Sequence, residues 1–225
     1  MFHVLDLKLE EFFSLEGCPV ADLFAGVQYP WEVLPRIAEL LEKLVEEKRS
    51  AYRQIAPGVW VGEGTTVADT ARFHGPAVFG RNCEIRPNAF VRGNVIAGDG
   101  VVLGNASEVK QAILFSQVQL PHFNYVGDSI LGRGAHLGAG AIISSFKSTK
   151  EPVKVKVGDT VVETGLRKFG AIVGDGVEVG CNAVLNPGTL VGAGSLIYPV
   201  TSVRGFIPSG MIYKGGKELV PYRAK

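Results

Sequence analysis

The stretch IAPGVWVGEGTTVADTARFHGPAVFGRNCEIRPNAFVRGNVIAGDGVVLGNASEVKQAILF, residues 55–115, places an apolar residue at every sixth position. After Ile55 that slot falls on Val61, Val67, Phe73, Phe79, Ile85, Val91, Ala97, Leu103, Val109 and Phe115. A second residue, mostly small, stands two places before each: Val59, Thr65, Ala71, Ala77, Cys83, Ala89, Val95, Val101 and Ser107 among them. Residues two apart share one face of a strand, so each hexad reads as a short strand followed by a corner. Repetition at a short fixed period marks a solenoid, and a period of six points to a parallel β-helix.

Working outward, the beat meets two interruptions. After Phe115 it resumes on Tyr125, Leu131, Leu137 and Ile143, so FSQVQLPHFN is expected to hold a bulge or short loop with His122 inside it. Between about 146 and 170 the beat is lost, and VKVKV, Gly158-Asp159 and TVVE predict a hairpin leaving the coil to lid a site or reach a neighbour. Val173, Val179, Leu185, Val191, Ile197 and Val203 then restore it. Upstream, Val33, Leu34, Ile37, Leu40, Leu41, Leu44 and Val45 recur at helical spacing and predict an amphipathic helix capping the open end of the solenoid. The organisation expected is an N-terminal helical cap or linker over 1–54, the β-helix over 55–205, and a C-terminal tail over 206–225.

Composition sets limits on function. With 46% hydrophobic residues and a formal charge of +1, the chain carries no bias toward nucleic acid. The 29 glycines fall in register with the beat, where corners need permissive dihedrals. Cys18, Cys83 and Cys181 are odd in number and widely spaced, which argues against a disulfide framework or a zinc site and for a reducing compartment. No apolar run has signal-peptide or membrane-spanning length, so a cytoplasmic protein without membrane association is expected. No Gly-rich, Lys-containing nucleotide loop precedes the repeats, and no nucleotidyltransferase domain is expected in this chain.

Coils of about eighteen residues bring Arg92 over Lys110 on the outer surface, at the ~4.8 Å spacing of paired strands. Two stacked cations repel unless solvent or an anion intervenes, and a bound phosphate would serve. A solvated, splayed pair is the alternative. Glu108 points outward two residues before Lys110. His122 lies outside the regular ladder and can project from the wall to take up a proton as a general base; a hydrogen-bonded structural histidine is the alternative. His136 lies outward on a flat strand, while His3 and His74 carry no context. A zinc enzyme of this fold, a γ-class carbonic anhydrase, would need His74, His122 and His136, and the short His-x4-His spacing of that class is absent; no metal is expected.

The six-residue pattern resembles that of left-handed β-helix proteins. The runs GNASEVK (104–110), HFNYVGD (122–128) and LGAG (137–140) resemble the acetyltransferase domain of bifunctional N-acetylglucosamine-1-phosphate uridyltransferases. The resemblance implies an all-β solenoid, a left-handed parallel β-helix, assembled as a homotrimer with acetyl-CoA in the groove between subunits. It implies His122 as general base toward the amine of a glucosamine 1-phosphate-like or nucleotide amino sugar, and Arg92, Lys110 and Tyr125 as phosphate and sugar contacts. Glu108 matches a carboxylate that touches the sugar or assists the base. Ala139 matches a cofactor contact. Ser145-Phe146 stand where that family has Asn-Tyr, His136 where it has a sugar-contacting Asn, and Cys181 where it has a cofactor-side Ser. The expectation is an acetyl-CoA-dependent N-acetyltransferase; the alternative is a non-catalytic trimeric scaffold for a separate sugar nucleotidyltransferase.

Overall fold

A computed structural model describes residues 7–15, 21–216 and 218–222. His3 and Cys18 lie outside the described residues. The hexads form a parallel β-solenoid of about nine turns. Its first face is built from strands such as Val59–Gly62, Ala77–Phe79, Val95–Ala97, Ala171–Val173 and Thr189–Val191, paired in parallel coil upon coil. The second runs from Thr66–Val67 and Glu84–Ile85 through Gln119–His122 and His136–Leu137 to Leu196–Ile197. The third holds Arg72–Phe73, Phe90–Val91, Ile142–Ile143 and Val184–Leu185. Two seven-residue strands, Glu108–Leu114 and Tyr125–Leu131, run around the corner from the third face onto the first.

Those two strands correct the reading of the first interruption. Register pairs Ala97 with Leu114 and Leu114 with Leu131, so Leu114 faces inward and Phe115 points out; likewise Val126, beside Val109, takes the slot expected of Tyr125. From Val109 to Leu114 and from Val126 to Leu131 the chain takes five residues instead of six. Each short corner contains a left-handed non-glycine residue, Gln111 (φ 45°) and Asp128 (φ 51°). Two coils of seventeen residues thus replace the single loop, and His122 sits at the end of a regular strand.

The interior core is the ladder of inward residues, and the slots from Val173 to Val203 are buried in it as read. A second core lies outside the first face. There the outward residues Val78, Ile96, Ile113, Ile130, Ile172 and Leu190 are buried against Phe12, Phe13, Phe24, Trp31, Leu34, Ile37 and Leu41 of the N-terminal segment. The helix Ile37–Lys48 therefore lies along the wall of the solenoid and not over its open end. That end is closed by Tyr52–Ala56, which adds antiparallel to Val59–Gly62. At the far end the coils run past residue 205: Phe206–Ile207 and Met211–Gly215 pair in parallel with earlier strands, and Glu218–Pro221 folds back antiparallel on the latter. The hairpin Lys154–Val157 and Thr160–Glu163 forms as read, but Val153 and Val155 are fully buried in the second core, so it folds along its own solenoid.

Candidate active site

On the third face, short strands leave a narrow strip where outward residues of neighbouring coils meet. Glu108 lies between Phe90 and Tyr125 in register, and Lys110 beside Gly127. Arg92 and Lys110 do stack there, yet each already holds a carboxylate. Arg92 Nη1 donates to Glu108 Oε1 at 2.6 Å, and Lys110 Nζ donates to Asp128 Oδ2 at 2.5 Å. The repulsion expected of the stacked cations is thus relieved by protein groups. The pairs differ in setting: Arg92 and Glu108 side chains are 45% and 30% exposed, those of Lys110 and Asp128 16% and 9%. Hydrogen bonding to Glu108 raises the Arg92 pKa further.

Tyr125 folds over Gly127. A methyl group built there would lie 2.8 Å from Tyr125 Oη and 3.2 Å from Ser145 Oγ, so bare backbone is what admits the phenol. Ser145 is buried, and its carbonyl accepts from Phe169 N–H at 2.9 Å, closing the base of the hairpin excursion. Phe146 follows it into solvent, 41% exposed. Asp128 anchors the same base, its carbonyl accepting from Gly170 N–H at 2.8 Å. Beside it opens a cleft of about 550 Å³ lined by Leu34, Gln111, Asp128, Phe146, Arg167 and Lys168, among others.

His122 occupies the preceding corner, between the second and third faces. Its side chain is exposed, and its carbonyl accepts from Gly140 N–H at 3.1 Å. In the next coil the Ala139 carbonyl accepts from Asn182 N–H at 2.9 Å, so His122, Ala139 and Cys181 climb one edge of the solenoid. Cys181 is exposed there, packed over Gly138. Tyr125 is three positions on from His122, with Phe123 and Asn124 between them, a backbone span of at most about 11 Å. No hydrogen bond or ion pair among the described residues joins the His122 ring to Arg92, Glu108, Lys110 or Tyr125. His136 lies on the second face, where Nδ1 meets Glu178 Oε2 at 2.7 Å.

Two residues of this site carried no role in the sequence reading. Asp128 stands next to the glycine of the run quoted above, and its distance of eighteen residues from Lys110 was the available signal. Asn124 is the other. It is buried, takes the His122 backbone N–H on Oδ1 at 3.2 Å, and donates through Nδ2 to Gly138 and Ala141 carbonyls at 2.8 and 3.3 Å. Satisfying a buried amide in this way fixes the corner that carries His122.

Among the described residues no group of three or more His, Cys, Asp or Glu side chains could hold a metal. His74 instead meets Phe90 edge-on, with ring centres 5.3 Å apart. No helix among the described residues is long and apolar enough to cross a membrane.

The family described as "GMPPB C-terminal domain" matches residues 73–186. A bifunctional protein GlmU of Methanococcus maripaludis is 31% identical over 84% of this chain and 47% of its own length. A bifunctional sugar-1-phosphate nucleotidylyltransferase/acetyltransferase of Sulfurisphaera tokodaii is 33% identical over 57% of this chain and 32% of its own. An uncharacterized acetyltransferase, YaiX of Escherichia coli, is 30% identical over 72% of this chain and 70% of its own. The chain spans about half the length of the GlmU relatives it matches.

Proposed function

The chain belongs to the GMPPB C-terminal domain family, and from that footing we propose that it is an acyl-CoA-dependent acyltransferase, N-acetylating an amino sugar phosphate or a nucleotide amino sugar with acetyl-CoA. The observation that carries the reading is the edge shared by His122, Ala139 and Cys181, three residues of chain from the Glu108, Lys110 and Tyr125 strip. The similarity to relatives whose names include acetyltransferase supports it.

In this reaction the acceptor amine attacks the thioester carbonyl carbon. As the N–C bond forms, the amine proton passes to His122; as the C–S bond breaks, coenzyme A leaves and is protonated to the thiol. Histidine is the side chain most often used for such a transfer. Arg92 spends one of its five N–H donors on Glu108, and Lys110 one of three on Asp128, so both keep donors for a phosphate. Tyr125 and Glu108 orient the sugar, and His136 lines its approach. Ala139, Ser145, Phe146 and Cys181 border the path of acetyl-CoA, with a neighbouring subunit of a homotrimer completing the groove.

That Arg92 and Lys110 already hold carboxylates favours a second reading, a trimeric scaffold serving a separate sugar nucleotidyltransferase. Mass spectrometry after incubation with isotope-labelled acetyl-CoA and a panel of glucosamine 1-phosphate and amino nucleotide sugars separates the two. An enzyme transfers label to one acceptor. A scaffold leaves every acceptor unlabelled.

A further inference from the structure

The hairpin docks on the corner between the third and first faces, two coils beyond the strip just described. Two glycines admit it. A methyl group on Gly188 (φ +81°) would lie 2.8 Å from the Lys154 carbonyl oxygen, and one on Gly205 (φ +77°) 3.2 Å from that of Lys156. Along this strand Val153 and Val155 turn into the second core, so the alternate residues Lys154 and Lys156 turn out and are exposed. Between hairpin and corner opens a cleft of about 270 Å³, and every ionisable side chain lining it is a cation: Lys147, Lys154, Lys156 and Arg204.

Internal pairing does not neutralise this cluster. Lys147 reaches Glu151 at 3.1 Å and Lys154 reaches Glu163 at 2.6 Å. Lys156 and Arg204 have no carboxylate partner within ion-pair distance among the described residues. Two uncompensated positive charges therefore line the one cleft, Lys156 from the hairpin and Arg204 from the corner, with the planar fork of an arginine among them. Such a fork matches the oxygens of a phosphoryl group, and the cleft is several times the ~30 Å³ occupied by one water, which gives room for more than one phosphate.

We propose that this cleft between hairpin and solenoid binds a phosphoryl anion, with Lys156 and Arg204 as its principal contacts and a diphosphate as the best-fitting form. The diphosphate belongs either to coenzyme A or to a free anion. The site stands independently of the catalytic reading, because binding is read without turnover.

Calorimetric titration at low ionic strength with inorganic pyrophosphate, then with coenzyme A, tests it on the wild-type chain and on Lys156→Gln/Arg204→Gln. Both side chains are exposed, and an unchanged melting temperature serves as the folding control. The expected result is saturable pyrophosphate binding that weakens at least about tenfold in the variant, as loss of charge-assisted hydrogen bonds implies. A parallel loss of coenzyme A affinity assigns the anion to the co-substrate; unchanged coenzyme A affinity assigns it to a free ligand. Equal pyrophosphate affinity in both proteins, or none in the wild type, overturns the proposal.

Discussion

Asp128 holds the left-handed conformation, accepts from Lys110 at 2.5 Å, and carries a side chain only 9% exposed. Removing one partner of such a buried pair leaves a charge in low dielectric, whereas exposed pairs contribute little. Asp128→Asn, which keeps the shape and tolerates the backbone, is expected to destabilise by about 3 kcal/mol or more. Glu108→Gln on the exposed Arg92 pair is expected to cost under about 1 kcal/mol. Denaturant melts of the two variants check this, and equal losses would contradict it. The stacking of Arg92 on Lys110 was legible from coil length alone. Asp128 stands the same eighteen residues from Lys110, but the short corner sets Gly127 beside Lys110 in register, so the ion pair reaches diagonally past it.

At the scale of elements, the first face is apolar on both sides. Its outward residues recur with the coil, Val78, Ile96, Ile113 and Ile130, and this ladder is the signal that would have placed the helix along the wall. On this face sequence reading follows the inward slots, so the amphipathic helix is expected at the one surface a solenoid is known to need covered, its open edge. The same counting failed at Phe115 and Tyr125, since five-residue corners built on Gln111 and Asp128 look like any other polar residues. Phe115 then became a landmark of the second core, tilted on Phe13 with ring centres 5.0 Å apart. Ile113 is fully buried there. Even trimming such a residue to alanine costs about 2–5 kcal/mol, and a carboxylate costs more. Ile113→Asp is expected to release the N-terminal segment while the interior ladder holds. Limited proteolysis should then cut before Tyr52 at least about tenfold faster than in the wild type, leaving the coils intact; simultaneous loss of the coils would show that the two cores are one cooperative unit.

Across the whole molecule, the solenoid converts sequence distance into fixed spacing. Backbone pairing lifts each coil ~4.8 Å above the last, so groups far apart in sequence, such as His122, Ala139 and Cys181, share one stiff edge. Stiffness of this kind favours catalysis by positioned groups over closure of a mobile lid, and the hairpin, seated on its own wall, is consistent with that. The central claim is that His122 is the base. Its exposed ring makes no hydrogen bond to another side chain among the described residues, so His122→Ala should leave the melting temperature unchanged. Thiol release from acetyl-CoA in the presence of the identified amino sugar acceptor, measured for wild type and His122→Ala side by side, tests the claim most directly. A fall in kcat of about 10²–10⁴-fold is predicted, and undiminished turnover in the variant would contradict it.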